Sequence, residues 1–300
     1  MDTHSLNLFL AIVRDKTISA AARSLNMTQP ALSRQMQYLE EELGTKLFLR
    51  GRRHITLTEE GKFLQKRAGE ILELMERTRQ AFREGSQVAG EVFIAGGETR
   101  AMRYVALAAR KAAERHPGLS FNIFSGNGDD VRERLDRGLA DFGIFIQPVD
   151  MRSYEYLRLP AKDVWGVLMP GDHPLAARET IGPQDLADIP LITSRQRLLQ
   201  NEMAAWFGKT HQSLNVVATY NLLYNASLLV EQGMGLALCL EGILRLPEDG
   251  SLVFRRLAPA MEVDVCLAWK KNQVFSRAAA FFLAVFRDEV LLKGQEGAKK

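Results

Sequence analysis

SAAARSLNMTQPALSRQMQYLEEELG, residues 19–44, sets Gln29 and Pro30 at the head of a strongly patterned helix. Leu32, Met36, Leu39 and Leu43 fall at i, i+4, i+7 and i+11, which predicts a single buried stripe. Gln29, Ser33 and Gln37 make the opposite stripe, with Arg34 beside it. Thr28 is the expected N-cap, Pro30 falls in the first turn where a missing N–H costs little, and Gly44 ends the helix. Upstream, Ala20, Ala21 and Ala22 form a short helix whose small side chains let another helix cross closely, and Asn26 suits a left-handed corner. Two helices joined by a tight turn, the second presenting amides, a hydroxyl and a guanidinium, predict a helix-turn-helix. Gln can bond adenine bidentately and Arg can do the same to guanine.

Working outward, Leu6, Phe9, Leu10 and Val13 predict a first helix with Ser5 as its cap. Downstream, KLFLRGRRHITLT (residues 46–58) alternates apolar and polar residues around Gly51, the pattern of a β-hairpin. Arg50, Arg52 and Arg53 sit at its tip and read as a wing that grips phosphates. Thr58 can cap a further helix with Glu59 and Glu60 at its positive end. Leu64, Ala68, Ile71, Met75, Thr78 and Phe82 then recur with gaps of four and three, a narrow a/d seam along a rod of about 40 Å. A second copy of the rod is the expected partner for that seam, which implies a homodimer and a two-fold DNA site.

The totals agree with this division. Three hundred residues exceed one ordinary core, and a composition 46% hydrophobic and 25% charged is that of a globular chain. Residues 1–90 hold 14 Lys and Arg against 11 Asp and Glu, whereas residues 91–300 hold 25 of each, so the whole excess of +3 belongs to the head. That is the footprint of a phosphate-binding module. Cys239 and Cys266 lie far apart in apolar runs and read as buried thiols, with no metal or cofactor implied. No segment is apolar enough to span a membrane, and a cytoplasmic location is expected.

From Phe9 to Gly61 the sequence resembles the DNA-binding domain of the LysR-type transcriptional regulators. The resemblance is carried by Phe9, Val13, Ala21-Ala22, Leu25, Gln29-Pro30, Ser33, Leu39-Glu40, Leu43-Gly44, Leu47-Phe48, Arg50, Leu57-Thr58 and Gly61. It extends more weakly to the C-terminus and implies a homo-oligomer, dimer or tetramer, that binds double-stranded promoter DNA under control of a small molecule.

Beyond residue 90 strands and helices alternate. VFIAGG (92–97), SFNIFSG (120–126) and DFGIFI (141–146) are short apolar strands with helical segments between them, which predicts an open, mostly parallel sheet. Residues 160–165 look like a crossing into a second lobe, and the chain is expected to cross back near Val263. The fold class is therefore α+β: a winged helix-turn-helix (1–57), a long linker helix (58–86), a hinge (87–90), and a two-lobed α/β effector domain (91–300) like the periplasmic solute-binding proteins. Lobe I takes residues 91–161 and 264–300, and lobe II residues 162–263.

Ligands bind such sheets beyond the carboxyl ends of the strands. Thr99 and Arg100 follow the first strand, Ser125 and Asn127 the second, and Thr193 and Ser194 the strand that opens lobe II. The resemblance implies that Thr99 and Thr193 hold a carboxylate or similar group, so an anion is among the candidate effectors. Ile146 stands where some relatives are polar and, with Phe145, suggests an apolar part on the ligand. Glu98 and Arg100 flank Thr99 and would make the mouth zwitterionic. Many members of the family carry a proline after GMGLAL, whereas here Cys239-Leu240-Glu241 continues.

Two other readings compete, a solute-binding protein and an enzyme built on the α/β half. The basic head argues against the first. Against the second, the sequence holds no P-loop, GxGxxG, GxSxG or HExxH, and His4, His54, His116, His173 and His211 do not cluster. His173 reads as a turn residue and no catalytic residue is expected.

Overall fold

The computed structural model describes residues 1–50, 55–83, 88–195, 204–208 and 214–292. The chain divides into two compact units, Met1–Gly85 and Ser86–Lys300.

The first unit is built on helices α1 (Thr3–Asp15), α2 (Ile18–Ser24) and α3 (Gln29–Leu43), followed by strands β1 (Phe48–Arg50) and β2 (Ile55–Leu57) and the long helix α4 (Glu59–Arg83). The cap of α1 differs from expectation: Asp2 precedes the helix and its carboxylate accepts the Ser5 N–H at 2.7 Å, which leaves Ser5 inside the first turn. Asn26 takes the left-handed corner at φ 53°, Thr28 caps α3 by accepting the Ala31 N–H, and Gly44 closes it at φ 67°. Leu32, Met36 and Leu39 are buried against Leu6, Phe9, Ile12, Ala21 and Ala22. Leu43 is 38% exposed, so the predicted stripe stops one turn early. Glu40 turns inward instead.

Helix α4 also departs from expectation. Its seam does have a partner in its own unit: Leu64 and Ala68 are buried in the same core as α1. Only beyond them does the apolar edge open, with Ile71 40%, Leu74 45% and Phe82 86% exposed. Thr58 ties the helix start to the strand before it, its hydroxyl donating to the Lys46 carbonyl at 2.7 Å and accepting the Gly61 N–H at 2.9 Å. At Gly61 a Cβ would collide with the Leu47 carbonyl oxygen. Gly61→Ala is expected to cost about 2 kcal/mol, since backbone cannot yield as a side-chain tip can, and urea unfolding of the variant measures it.

Among the described residues the second unit holds a ten-stranded sheet in the order β4-β3-β5-β12-β6-β10-β8-β9, with β11 paired to β6 and β7 paired to β11. In lobe I, β3 (Gly90–Gly96) lies parallel to β4 (Leu119–Ser125) and to β5 (Phe142–Ile146). The connecting helices are α5 (Met102–Arg115) and α6 (Gly128–Asp136). Lobe II is built on β8 (Pro190–Ser194), β9 (Asn215–Tyr220), helix α7 (Leu223–Glu231) and β10 (Leu236–Leu240), again parallel. Its antiparallel flank carries β7 (Thr180–Ile181) and β11 (Leu252–Leu257).

The crossing is one unbroken strand, β6 (Tyr154–Pro170), which pairs with β12 (Glu262–Lys270) in lobe I and with β10 and β11 in lobe II. These pairings are antiparallel, so the sheet is more mixed than the βα rhythm predicts. Helix α8 (Arg277–Phe286) closes lobe I, stacking Phe282 and Phe286 on the core that contains Phe142, Ile144 and Trp269. Cys239 and Cys266 are both buried, and burial pushes the Cys239 thiol up to about 12. No helix among the described residues is long and apolar enough to cross a membrane.

Candidate functional site

Two surfaces carry chemistry, one in each unit. In the first, the N-terminal half of α3 presents Gln29, Arg34 and Gln37 exposed and Ser33 half-buried. Among the described residues these side chains form no hydrogen bond or ion pair of their own, while the opposite face is packed in the core. Their amide, hydroxyl and guanidinium groups are free to meet base edges. The strands that follow pair Phe48 with Leu57 and Arg50 with Ile55, an antiparallel hairpin. Arg50 lies in β1, whereas Arg52 and Arg53 fall outside the described residues.

Glu40 joins the two elements, a role that its position in a run of three glutamates concealed. Its carboxylate accepts the N–H groups of Leu47 at 2.8 Å and Phe48 at 3.4 Å and pairs with Lys46 at 2.6 Å. Burial pushes its carboxyl up, but the Lys46 contact and the backbone donors outweigh it, and the result lies below the ordinary carboxylate value. The wing is thus docked on the second turn from the end of α3 through one buried anion.

In the second unit a cavity lies between the lobes at the carboxyl ends of the parallel strands. Gly97 and Glu98 follow β3, Gly126 and Asn127 follow β4, and Ile146 ends β5. Ser194, Tyr220 and Leu240 end β8, β9 and β10 on the far side, and Trp165 of the crossing strand lines it as well. Of the residues singled out in sequence, Asn127, Ile146 and Ser194 line this cavity, and Thr99, Arg100, Ser125 and Thr193 do not. Ser125 is exposed and Thr193 half-buried. Asn127 caps α6, accepting the N–H groups of Asp129 and Asp130, while Asp130 returns a bond to the Asn127 N–H.

The loop after β3 ties the lobes together. Glu98 accepts the backbone N–H of Leu223, the first residue of α7. Leu222, at the cap position of that helix, has no side-chain acceptor to offer, so Glu98 of lobe I supplies the missing cap to lobe II. Thr99 is buried; its hydroxyl donates to Asp163 on the crossing strand and accepts the Ala101 N–H at 2.9 Å. Burial raises the Asp163 carboxyl, opposed by the Thr99 bond. Arg100 reaches Glu241 at 4.0 Å, and Arg256 takes the same carboxylate bidentately at 2.9–3.1 Å. The expected zwitterion is therefore split, Glu98 facing one element of lobe II and Arg100 another.

Tyr220 donates its hydroxyl to the Leu238 carbonyl at 2.7 Å, and burial pushes it well above the ordinary tyrosine value, the charge of Glu98 adding to the shift. Trp165 is 4% exposed, and among the described residues its buried indole N–H has no acceptor. Neither ring was singled out in sequence, where both sit in unremarked apolar runs. The cavity encloses about 60 Å³, small beside the roughly 150 Å³ that holds a benzene. His173 caps a turn, its Nδ1 accepting the Leu175 N–H. Among the described residues no cluster of His, Cys, Asp or Glu is placed to hold a metal.

Comparison with known proteins bears on both units. Residues 3–62 match the model of the bacterial regulatory helix-turn-helix protein, lysR family, and residues 85–291 match the LysR substrate binding domain. The chain is 28% identical to the HTH-type transcriptional regulator YvbU of Bacillus subtilis (strain 168), over 96% of this chain and 98% of that one. It is 27% identical to HcaR, the Hca operon transcriptional activator of Escherichia coli (strain K12), over 97% and 98%. In fold it is similar to full-length CbnR, solved in complex with its target DNA, at a TM-score of 0.76 and 21% identity over 97% of this chain and 100% of that one.

Proposed function

The chain belongs to the LysR family of DNA-binding transcriptional regulators, and we propose how its two surfaces divide that work. Gln29, Ser33, Arg34 and Gln37 read base edges in a major groove, while Arg50, Arg52 and Arg53 hold the flanking phosphates. The observation that carries this reading is the one face of α3 that is polar, unpartnered and exposed while the other is core. The working parts are the head (1–57), the linker helix (58–86), a hinge (87–90) and the effector domain (91–300). The protein acts in the cytoplasm, where its DNA lies.

The effector enters the cleft lined by Asn127, Ile146 and Ser194, with Ser125 and Thr193 at its edges and Thr99 and Arg100 holding the lobes. Binding shifts the balance between lobe arrangements and so alters how the DNA heads are presented. The exposed run of α4 from Ile71 to Phe82 pairs with a second copy, and dimers pair further to tetramers. Ile71→Glu is expected to lower the assembly state seen by light scattering at micromolar concentration, because it charges that edge. An unchanged mass would remove α4 as the dimer contact.

Selection of bound genomic fragments by the full-length protein, repeated with a metabolite panel, tests the whole reading. Discrete fragments with two-fold symmetry are expected, and at least one metabolite should change their occupancy and raise Tm together. Capture of random duplex, equal in every fragment, would overturn it.

A further inference from the structure

We propose that the cleft selects a small organic cation, a primary ammonium with an apolar middle and a neutral oxygen acceptor, and turns carboxylates away. This rests on the cleft being the effector site. Two helix starts at the cleft would favour an anion: the first turn of α6, already capped by its own Asn127, and the first turn of α7. The latter is already occupied by the Glu98 carboxylate.

Glu98 is also the only charged side chain among the described residues that line the cavity. Arg100, two residues on, does not balance it, because it is directed to Glu241. Among the described lining residues an incoming carboxylate meets a like charge and no cation, whereas an ammonium meets an ionic partner in Glu98.

The cavity is also lined by Trp165, nine-tenths buried and with its N–H unpaired among the described residues. A buried donor without an acceptor is costly, and an oxygen on the ligand relieves it. Tyr220 does not compete, since its hydroxyl is committed to Leu238. Ile144, Ile146, Leu240 and Ile243 supply the apolar part of the lining.

At about 60 Å³ the cavity takes only a few atoms, so entry requires the lobes to part. Parting them breaks the bond from Glu98 to Leu223. The ammonium then replaces the α7 N–H as the partner of Glu98, which releases the cap that joins the lobes. The ligand therefore acts on the very contact that holds the closed form.

Calorimetric titration and thermal unfolding of the full-length protein with aminobutanol, butylammonium, butanediol and hydroxybutyrate test this. Aminobutanol is expected to raise Tm and to bind at least about tenfold more tightly than hydroxybutyrate. Glu98→Gln keeps an oxygen for the Leu223 N–H but removes the charge, and should erase that preference. Trp165→Phe should reduce aminobutanol to the affinity of butylammonium. Hydroxybutyrate binding as tightly as the amine, a preference that survives Glu98→Gln, or no binding of aminobutanol each overturns the assignment. Ile146→Trp, which fills the cavity, separates the two levels of failure. If it abolishes tighter hydroxybutyrate binding, the cleft stands and the amine class falls. If bound probes are indifferent to it, the cleft reading falls too.

Discussion

Glu40→Ala is expected to destabilise the N-terminal unit by about 2–4 kcal/mol and to weaken DNA binding with it. The substitution strips the acceptor from the buried Leu47 N–H and from that of Phe48, and each orphaned donor costs about 1–3 kcal/mol. The Lys46 end adds little, because that ammonium is largely exposed. Glu40→Gln keeps an acceptor and should lose about half as much.

The pH dependence has a definite sign. Glu40 is held below its ordinary value of 4.5, so its contribution is complete above that value and fades as pH falls through the lower folded one. Urea midpoints of wild type and Glu40→Gln should therefore converge on acidification. Equal midpoints at neutral pH would show that the wing is docked by other contacts.

The second large effect concerns recognition. Gln29→Ala combined with Arg34→Ala should relax discrimination between the preferred operator and random duplex by on the order of a hundredfold or more, each bidentate pair being worth about 1–3 kcal/mol. Affinity for random duplex should change far less. Arg52→Ala should do the reverse, weakening every sequence in parallel and making the salt slope shallower by about one. Competition binding at several salt concentrations separates the two patterns. If all three substitutions gave the same profile, the division between reading helix and gripping wing would be wrong.

These expectations differ in how far sequence alone supported them. The head was legible because its signals are local. Asn26, Thr28, Pro30 and Gly44 each act on backbone within four residues of themselves, and the α3 stripe needs only its own periodicity. The same locality explains the misses. Asp2 took the cap from Ser5 because both fit one turn, and only the backbone conformation chose between them. Leu64 and Ala68 looked like seam positions awaiting a second chain, since nothing in their spacing reveals that α1 lies across them.

In the cleft the balance tips the other way. Ile146 was found through the family resemblance, while strand ends located Asn127 and Ser194, because a ligand's place relative to parallel strands follows from topology. Thr99 and Arg100 were found by the same rule, yet packing turned them to Asp163 and Glu241. An anion stood among the expected effectors because the resemblance gave Thr99 and Thr193 a carboxylate to hold, although Glu98 already stood beside Thr99 in sequence. The carboxylate of Glu98, bonded to the first N–H of α7, favours a cation instead.

Sequence by itself determined the helices of the head, the Thr28 and Gly44 caps of α3 and the paired strands that follow it, since each is specified by residues a few positions apart. Tertiary structure decided which carboxylate caps which helix, which indole is left without a partner and how far the linker seam is covered. Glu98 and Leu223 are 125 residues apart, and no short-range pattern encodes a hydrogen bond that exists only once two lobes have packed.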